Sequence, residues 1–236
     1  MMITERTTVA AVILAAGSGS RMGGSRKQFL PIKGRPLLSY SVKTFWVSGV
    51  FSRAIIVVPK GCTSFCRALL RKYCPEVPVE IIIGGGSRRS SIYRALQYLE
   101  RSGTDRPAHV LIHDAARPLV SAETVRSVLS AAQRHGASVA SIPAIDTLLR
   151  VRDGVVEQVQ NKEGMYYSYT PQGFLFDGLL AAHRKANDMK LVAETADDLE
   201  ILKATRSSLH VRVVESYPNF KLTYPSDLKI IEALME

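Results

Sequence analysis

Residues 9–22 of the chain read Val-Ala-Ala-Val-Ile-Leu-Ala-Ala-Gly-Ser-Gly-Ser-Arg-Met. The first seven of these residues are apolar, which is typical of a strand that is buried on both faces of a parallel sheet. A turn of glycine and other small residues follows at once, and such a turn lets backbone N–H groups approach a phosphate closely. The stretch therefore predicts an α/β protein that begins with a buried strand and a phosphate-binding loop.

Four further apolar runs follow, and helical patterns lie between them. The runs are residues 54–58, 79–83, 110–112 and 138–142. Apolar side chains recur at helical spacing at Ile92, Ala95, Leu96 and Leu99, and at Val125, Val128, Leu129 and Ala132. Pro36 fits the first turn of another helix, and Ser121 fits an N-cap. This alternation predicts a single Rossmann-like domain over residues 1–236, with a mostly parallel sheet covered by helices on both faces.

Residues 147–165 break this alternation. Asp153-Gly154 stands between two runs rich in β-branched residues, and this dipeptide favours a type I′ hairpin turn because both of its residues tolerate positive φ. An isolated two-stranded ribbon is only marginally stable in water. We therefore expect a protruding β-hairpin arm that packs either on its own core or on a second subunit, and the sequence does not choose between the two.

The composition restricts the class of partner. The formal net charge is +10, which favours an anionic ligand. The basic residues occur in short, separated groups rather than in one tract with interleaved aromatics, so a phosphorylated small molecule is favoured over nucleic acid. No apolar run reaches the ~20 residues that span a bilayer, and residues 1–6 lack the features of a signal peptide. We expect a cytoplasmic protein that binds no membrane.

Three cysteines, Cys62, Cys66 and Cys74, lie close together in the sequence. Their number is odd and no histidine is near them, so their spacing is unlike that of a disulfide framework or a zinc site. The pattern indicates reduced, partly buried thiols.

Charged residues follow two of the predicted strands. Arg21 and Lys27 come after the glycine turn, and two cations there suit a triphosphate. An NAD site would require a third glycine and an acid ~20 residues later, and the chain has neither. Asp114 comes just after residues 110–112, where its carboxylate either anchors Mg2+ with phosphate oxygens or caps the next turn. Arg117 either orders this loop or lies on the surface.

Several motifs together resemble one family. They are residues 14–22 with Lys27-Gln28, residues 84–91, residues 113–118, Asp146-Thr147, residues 170–172 and residues 220–223. In this order they are similar to the motifs of the 2-C-methyl-D-erythritol 4-phosphate cytidylyltransferases. The resemblance implies transfer of CMP from CTP to 2-C-methyl-D-erythritol 4-phosphate. The products would be 4-diphosphocytidyl-2-C-methyl-D-erythritol and pyrophosphate, in non-mevalonate isoprenoid biosynthesis.

The resemblance also implies roles for individual residues. Those that would bind the nucleotide are Ala15, Ala16, Gly17, Gly19, Gly85, Gly86, Ser91, Asp114 and Ala115. Those that would carry the transfer are Arg21, Lys27, Thr147, Lys162 and Lys221. Those that would bind the sugar-alcohol phosphate are Asp114, Arg117, Thr147, Lys162, Thr170 and Lys221. Asp114 would also hold Mg2+ as the cofactor.

The chain departs from the family pattern on the acceptor side. The family has an arginine eight residues before Thr-Pro-Gln, supplied by the partner's arm in a homodimer, and this chain has Lys162 there. Lysine keeps the charge but lacks the planar fork of arginine. A ribitol-5-phosphate cytidylyltransferase of the same superfamily is therefore an alternative. A regulatory protein that binds nucleotide without catalysis is a further alternative, but the presence of Arg21, Lys27 and Asp114 together argues against it.

Overall fold

The computed structural model describes residues 8–24, 26–103, 106–190, 197–217 and 219–235. The prediction about the N-terminus falls on residues 1–6, which lie outside this range. The strands are β1 (Val9–Leu14), β2 (Pro31–Ile32), β3 (Arg35–Pro36), β4 (Arg53–Val58), β5 (Val79–Ile83), β6 (His109–Asp114), β7 (Gly136–Pro143), β8 (Leu148–Arg152), β9 (Val155–Gln160), β10 (Tyr166–Leu175) and β11 (His210–Glu215). The α-helices are α1 (Leu37–Ser48), α2 (Thr63–Tyr73), α3 (Arg88–Glu100), α4 (Ala122–His135), α5 (Phe176–Asp188), α6 (Asp198–Ala204) and α7 (Asp227–Leu234).

The central sheet has seven strands in the order β11-β7-β10-β6-β1-β4-β5. Strand β1 lies between β4 and β6 and pairs with both in parallel. Strands β5 and β11 also pair in parallel with their neighbours, whereas β10 runs antiparallel to β6 and β7. The predicted α/β fold with a mostly parallel sheet is confirmed, and all five predicted strands are present. Strands β10 and β11 were not predicted.

Helices cover both faces of this sheet. Alternate residues of β1 point to opposite faces, so Ala11 and Ile13 pack with α1, α2 and α4, while Ala10 and Val12 pack with α3, α5 and α6. All of these β1 side chains are fully buried, which explains why the strand is apolar throughout. Within the described ranges, no helix combines the length and the apolar character that crossing a membrane requires.

Two predicted helix starts can be compared with the structure. Ser121 caps α4, because its side chain accepts the backbone N–H of Thr124 at 3.0 Å, and this prediction is confirmed. Pro36 is the N-cap residue of α1 rather than a residue of its first turn. Its ψ of 137° is extended, since Pro36 also pairs with Pro31 in the short β2–β3 ribbon, so the helix begins one residue later than predicted.

Strands β8 and β9 form the predicted hairpin as a separate two-stranded sheet. Asp153 has φ 49° and Gly154 has φ 80°, and positive φ at both residues is what a type I′ turn requires. Five apolar side chains of the hairpin are 50 to 67 % exposed, namely Leu149, Val151, Val155, Val156 and Val159. The alternative in which the arm packs on its own core is therefore wrong for these side chains.

The three cysteines are free and buried. Cys66 lies on α2, and Cys62 and Cys74 are the cap residues of this helix. Burial raises the pKa of Cys66 to about 12 and that of Cys74 to about 11, because an apolar environment disfavours the thiolate. The three residues are free thiols, as interpreted, but they are fully rather than partly buried.

Candidate active site

A pocket of about 590 Å³ lies beyond the carboxyl ends of β1 and β6, next to the loop that follows β5. This is the edge at which parallel α/β sheets bind their ligands. The predicted site residues that line it are Ala15, Ala16, Gly17, Gly19, Arg21, Lys27, Gly85, Gly86, Ser91, Asp114 and Lys221. Residues from four separate parts of the chain thus meet in one cavity.

The loop after β1 is held in shape by Gln28. This side chain is buried, and its Nε2 donates to the carbonyl oxygen of Ala15 at 2.7 Å and to that of Gly17 at 3.2 Å. Gly19 has φ 73°, a left-handed conformation that glycine adopts without strain. These contacts within the protein hold the loop in its phosphate-binding shape.

The loop after β5 packs tightly against the first loop. A Cβ atom at Gly84 would lie 2.7 Å from the Cβ of Ala16 and 2.8 Å from the Oγ of Ser91. The Oγ of Ser91 accepts the backbone N–H of Gly85 at 3.0 Å. Glycine is thus required by close approach at Gly84, and Ser91 fixes the glycine segment that forms one wall of the pocket.

Asp114 is the last residue of β6, and cations face both of its carboxylate oxygens. Its Oδ2 lies 2.6 Å from the Nζ of Lys221, and its Oδ1 lies 3.4 Å from the Nε of Arg88. Burial by itself would raise the pKa of Asp114, but the charges of Arg88, Lys221 and Arg117 outweigh it and hold that pKa well below its usual range. The carboxylate is therefore ionised, and its partners are cations rather than the next turn, which it was alternatively predicted to cap.

Lys27 adds a further positive charge. Its Nζ donates to the carbonyl oxygen of Leu222 at 2.6 Å. The pKa of Lys27 is lowered, chiefly by burial and then by the neighbouring charges of Lys221 and Arg21. Cations crowded into a partly buried space raise each other's energy, and an anionic ligand such as a triphosphate relieves this repulsion.

Arg117 lies behind the pocket. It is buried, its Nη1 donates to the carbonyl oxygen of Asn219 at 2.8 Å, and its guanidinium stacks 4.3 Å above the ring of Tyr169. Its backbone N–H donates to the carbonyl oxygen of Asp114 at 3.0 Å. The interpretation that Arg117 orders this loop fits these contacts, and the alternative of a surface arginine is wrong.

Thr170 and Ala115 also support the pocket from behind. The Oγ1 of Thr170 accepts the backbone N–H of Asp114 at 3.0 Å and lies 3.2 Å from Nδ1 of His113. Ala115 is buried, and its N–H donates to the carbonyl oxygen of Leu14 at 3.0 Å. Neither residue is among those that line the cavity, where Ala116 takes the place predicted for Ala115.

Thr147 and Lys162 lie at the base of the hairpin and not in the pocket. Both are exposed. The Nζ of Lys162 donates to the carbonyl oxygen of Ile145 at 2.5 Å. Within one chain, the structure does not bring these two residues to the other predicted site residues.

Nine residues of the pocket wall were not named as candidate site residues from the sequence, and Gln28, Arg88 and Thr223 are three of them. Arg88 belongs to the motif at residues 84–91, but it was not named as a candidate site residue. Its position directly after Ser87, which caps α3, was the available signal, because the first residue of a helix that follows a glycine loop faces the same ligand as the loop.

Only one acidic side chain, Asp114, stands among the described residues that line the pocket. Among all the residues that the structure describes, no group of three or more His, Cys, Asp or Glu side chains is placed to hold a metal ion. A single carboxylate together with phosphate oxygens from a substrate is nevertheless a donor set that Mg2+ uses. The residues present therefore fit a magnesium ion that arrives with a nucleotide.

Comparison with known proteins agrees with this geometry. The profile of the IspD family, 2-C-methyl-D-erythritol 4-phosphate cytidylyltransferase, matches residues 9–236. The chain belongs to this family. It is 38% identical over 226 residues to the 2-C-methyl-D-erythritol 4-phosphate cytidylyltransferase of Bacillus mycoides, and this match covers 95% of the chain and 96% of the relative.

Solved structures show the same fold. The chain is similar to the crystal structure of 2-C-methyl-D-erythritol 4-phosphate cytidylyltransferase from Thermus thermophilus, with a TM-score of 0.74, 32% identity, and 96% and 98% of the two chains covered. It is also similar in fold to the 4-diphosphocytidyl-2C-methyl-D-erythritol synthase of Anaerococcus prevotii, with a TM-score of 0.81, 24% identity, and 97% and 96% covered. The family resemblance inferred from the motifs is confirmed.

Proposed function

We propose that this pocket transfers CMP from CTP to 2-C-methyl-D-erythritol 4-phosphate, forming 4-diphosphocytidyl-2-C-methyl-D-erythritol and pyrophosphate in non-mevalonate isoprenoid biosynthesis. The observation that carries the proposal is that a chain of this family, matched from residue 9 to 236, gathers Arg21, Lys27, Asp114 and Lys221 in one cavity. No finding favours ribitol 5-phosphate as the acceptor. The intact set of charges also argues against a regulatory protein without catalysis.

The chemistry requires positioning and charge neutralisation. An oxygen of the acceptor phosphate attacks the α-phosphorus of CTP, the bond from that phosphorus to the bridging oxygen breaks, and pyrophosphate leaves. The attacking oxygen is already anionic, so no general base is required. Arg21 and Lys27 are placed to hold the triphosphate and to stabilise the charge that grows during transfer. Lys221 adds a cation beside Asp114 for the acceptor phosphate.

The backbone of the two glycine loops would recognise the nucleotide. Ala15, Ala16, Gly17 and Gly19 form one loop, and Gly85, Gly86 and Ser91 form the facing wall. The close packing of these loops favours a pyrimidine over a purine. Ala115 and Thr170 would contribute by fixing the backbone at Asp114 rather than by direct contact.

Asp114 would hold Mg2+, since it supplies the one carboxylate in the described pocket wall. The ion, when bound, neutralises phosphate charge. Arg88 and Lys221 keep the carboxylate ionised in the meantime.

We propose that the chain forms one domain over residues 1–236 and acts as a homodimer through its arm, so that Thr147 and Lys162 serve the partner's pocket. Two observations support this. Both residues are exposed and lie away from the pocket of their own chain. The arm also carries exposed apolar side chains, and an exposed apolar patch of this kind is typical of an interaction site.

Phosphorus NMR of the purified protein with CTP, methylerythritol phosphate and Mg2+ tests the reaction. We expect the triphosphate signals of CTP to disappear. Signals of a diphosphate that is esterified at both ends, and signals of pyrophosphate, should grow at equal molar rates. Omitting the acceptor is the control and should leave CTP intact. Unchanged triphosphate signals in the complete mixture would refute the proposed function.

A further inference from the structure

A chain of buried ionic contacts leads away from the pocket behind Arg88. The Nη1 of Arg88 lies 3.0 Å from Oδ2 of Asp198, and the other oxygen of Asp198 lies 2.9 Å from Nε2 of His183. The side chains of Asp198 and His183 are both fully buried. The three residues come from α3, α5 and α6, so this contact requires the whole fold and not one local motif.

Arg88 is shared between two carboxylates, and it lies closer to the one outside the pocket. Its Nη1 is 3.0 Å from Asp198, whereas its Nε is 3.4 Å from Asp114. A fully buried carboxylate that loses its partner is strongly destabilised, so Asp198 holds the guanidinium firmly. The competing pull keeps Arg88 from forming a short ion pair with Asp114.

His183 fixes the orientation of Asp198. Its ring is stacked on Tyr93, with ring centroids 5.9 Å apart and planes at 2°. Only a ring N–H can bond to a carboxylate, so the His183 Nε2–H donates to Asp198 Oδ1. With that oxygen occupied, the other one is aimed at Arg88.

We propose that His183 and Asp198 are positioning residues for the transfer reaction, acting through Arg88. They hold the guanidinium at the pocket wall, where it faces the nucleotide phosphates and leaves Oδ1 of Asp114, the oxygen that Lys221 does not contact, available to the magnesium–nucleotide complex. This inference rests on the proposed function and adds to it. Neither residue lines the cavity.

Asp198→Asn tests the inference, since it keeps the shape of the side chain and removes the charge that competes for Arg88. Arg88 should then close on Asp114 and oppose the magnesium complex. We expect the Kd of CTP measured by calorimetry with Mg2+ to rise about tenfold. The Kd measured without Mg2+ should change by about twofold at most. A general loss of packing would instead raise the Kd to a similar extent with and without Mg2+.

Glu80→Gln is the matched control, because it also replaces the carboxylate of an arginine ion pair with an amide. Glu80 lies 2.8 Å from Arg53, and neither residue lines the pocket. It should leave both affinities unchanged.

If Asp198→Asn does not fold, His183→Phe carries the same test. It keeps a ring to stack on Tyr93 but removes the Nε2–H that orients Asp198, so Asp198 holds Arg88 less firmly and the magnesium-dependent affinity should shift in the same direction.

A double-mutant cycle with Arg88→Lys gives a second readout. Lysine cannot span both carboxylates, so removing the charge of Asp198 in that background should have little further effect. Additive losses, or wild-type affinity for CTP with Mg2+ in a folded Asp198→Asn protein, would overturn the inference. Failure of the wild-type protein to release pyrophosphate would instead overturn the proposed function.

Discussion

The Nζ of Lys27 lies inside the pocket, where it donates to the carbonyl oxygen of Leu222. Its charge cannot be replaced by solvent as the triphosphate reacts, so Lys27→Ala should lower the transfer rate by about a hundredfold or more. Steady-state pyrophosphate release at saturating CTP measures this effect. Lys33→Ala is the control, since Lys33 is exposed and bonds to Met235 outside the pocket. Near-normal turnover in Lys27→Ala would mean that the first loop only binds the nucleotide.

His113, next to Asp114, makes the stability of the fold depend on pH. Burial lowers its pKa from 6.5 to about 4, so below pH 6.5 the unfolded chain binds a proton that the folded chain does not. Keeping this imidazole neutral costs the folded state no stability when the pH is above 6.5. The free energy of unfolding then decreases progressively as the pH falls from 6.5 towards 4. At pH 5 the loss should be about 2 kcal/mol in the free energy of unfolding.

Urea unfolding at pH 7.5 and pH 5 measures this difference. His113→Gln should lack that part of the pH dependence, whereas His135→Gln should retain it because His135 is exposed. An equal pH dependence in wild type and His113→Gln would show that the histidine is not held neutral by burial.

At the residue level, the sequence predicted the side chains that stand at strand ends. Asp114 is the last residue of β6, as the apolar run before it predicts. Arg21 and Lys27 follow the glycine turn beyond β1 and line the same pocket, while the roles of all three residues stay predictions. Asp198 and His183 gave no such signal, since they lie on helices far along the chain and meet Arg88 only through tertiary packing.

The loop between β5 and α3 tests the site at the level of an element. Gly84 approaches Ala16 and Ser91 so closely that an added methyl group must push the two glycine loops apart. Gly84→Ala should therefore lower the free energy of unfolding by about 1–3 kcal/mol. Gly86 has no atom within 4 Å of an added Cβ, so Gly86→Ala should leave stability nearly unchanged. Equal effects of the two substitutions in chemical denaturation would contradict this packing.

Elements differed in how well the sequence predicted them. Strand β1 could be predicted because a strand buried on both faces is apolar throughout. The hairpin turn could be predicted because Asp153-Gly154 tolerates the positive φ that the turn requires. Strand β10 was missed because Pro171 and Gly173 interrupt its apolar pattern. Strand β11 was missed because none of its residues is fully buried, with Val211 and Val214 half-buried and the others exposed. Their place in the sheet depends on β7, which pairs with both.

At the level of the whole molecule, the exposed arm predicts self-association. Sedimentation at micromolar concentration should show a species of twice the 25.9-kDa chain mass. Val155→Asp with Val159→Asp places charges on the exposed apolar side chains of the arm and should shift the protein towards monomer with loss of activity. Asp188→Asn, outside the arm on α5, is the control. If the wild-type protein sediments as a monomer, the proposal that Lys162 acts in the pocket of a second subunit is wrong.

The pocket and the family membership together assign methylerythritol phosphate as the acceptor. The ratio of kcat/KM for two acceptors tests this assignment. With CTP and Mg2+, kcat/KM for methylerythritol phosphate should exceed that for ribitol 5-phosphate by about a hundredfold. A ratio below one would contradict the assignment of the acceptor while leaving the cytidylyl transfer chemistry in place.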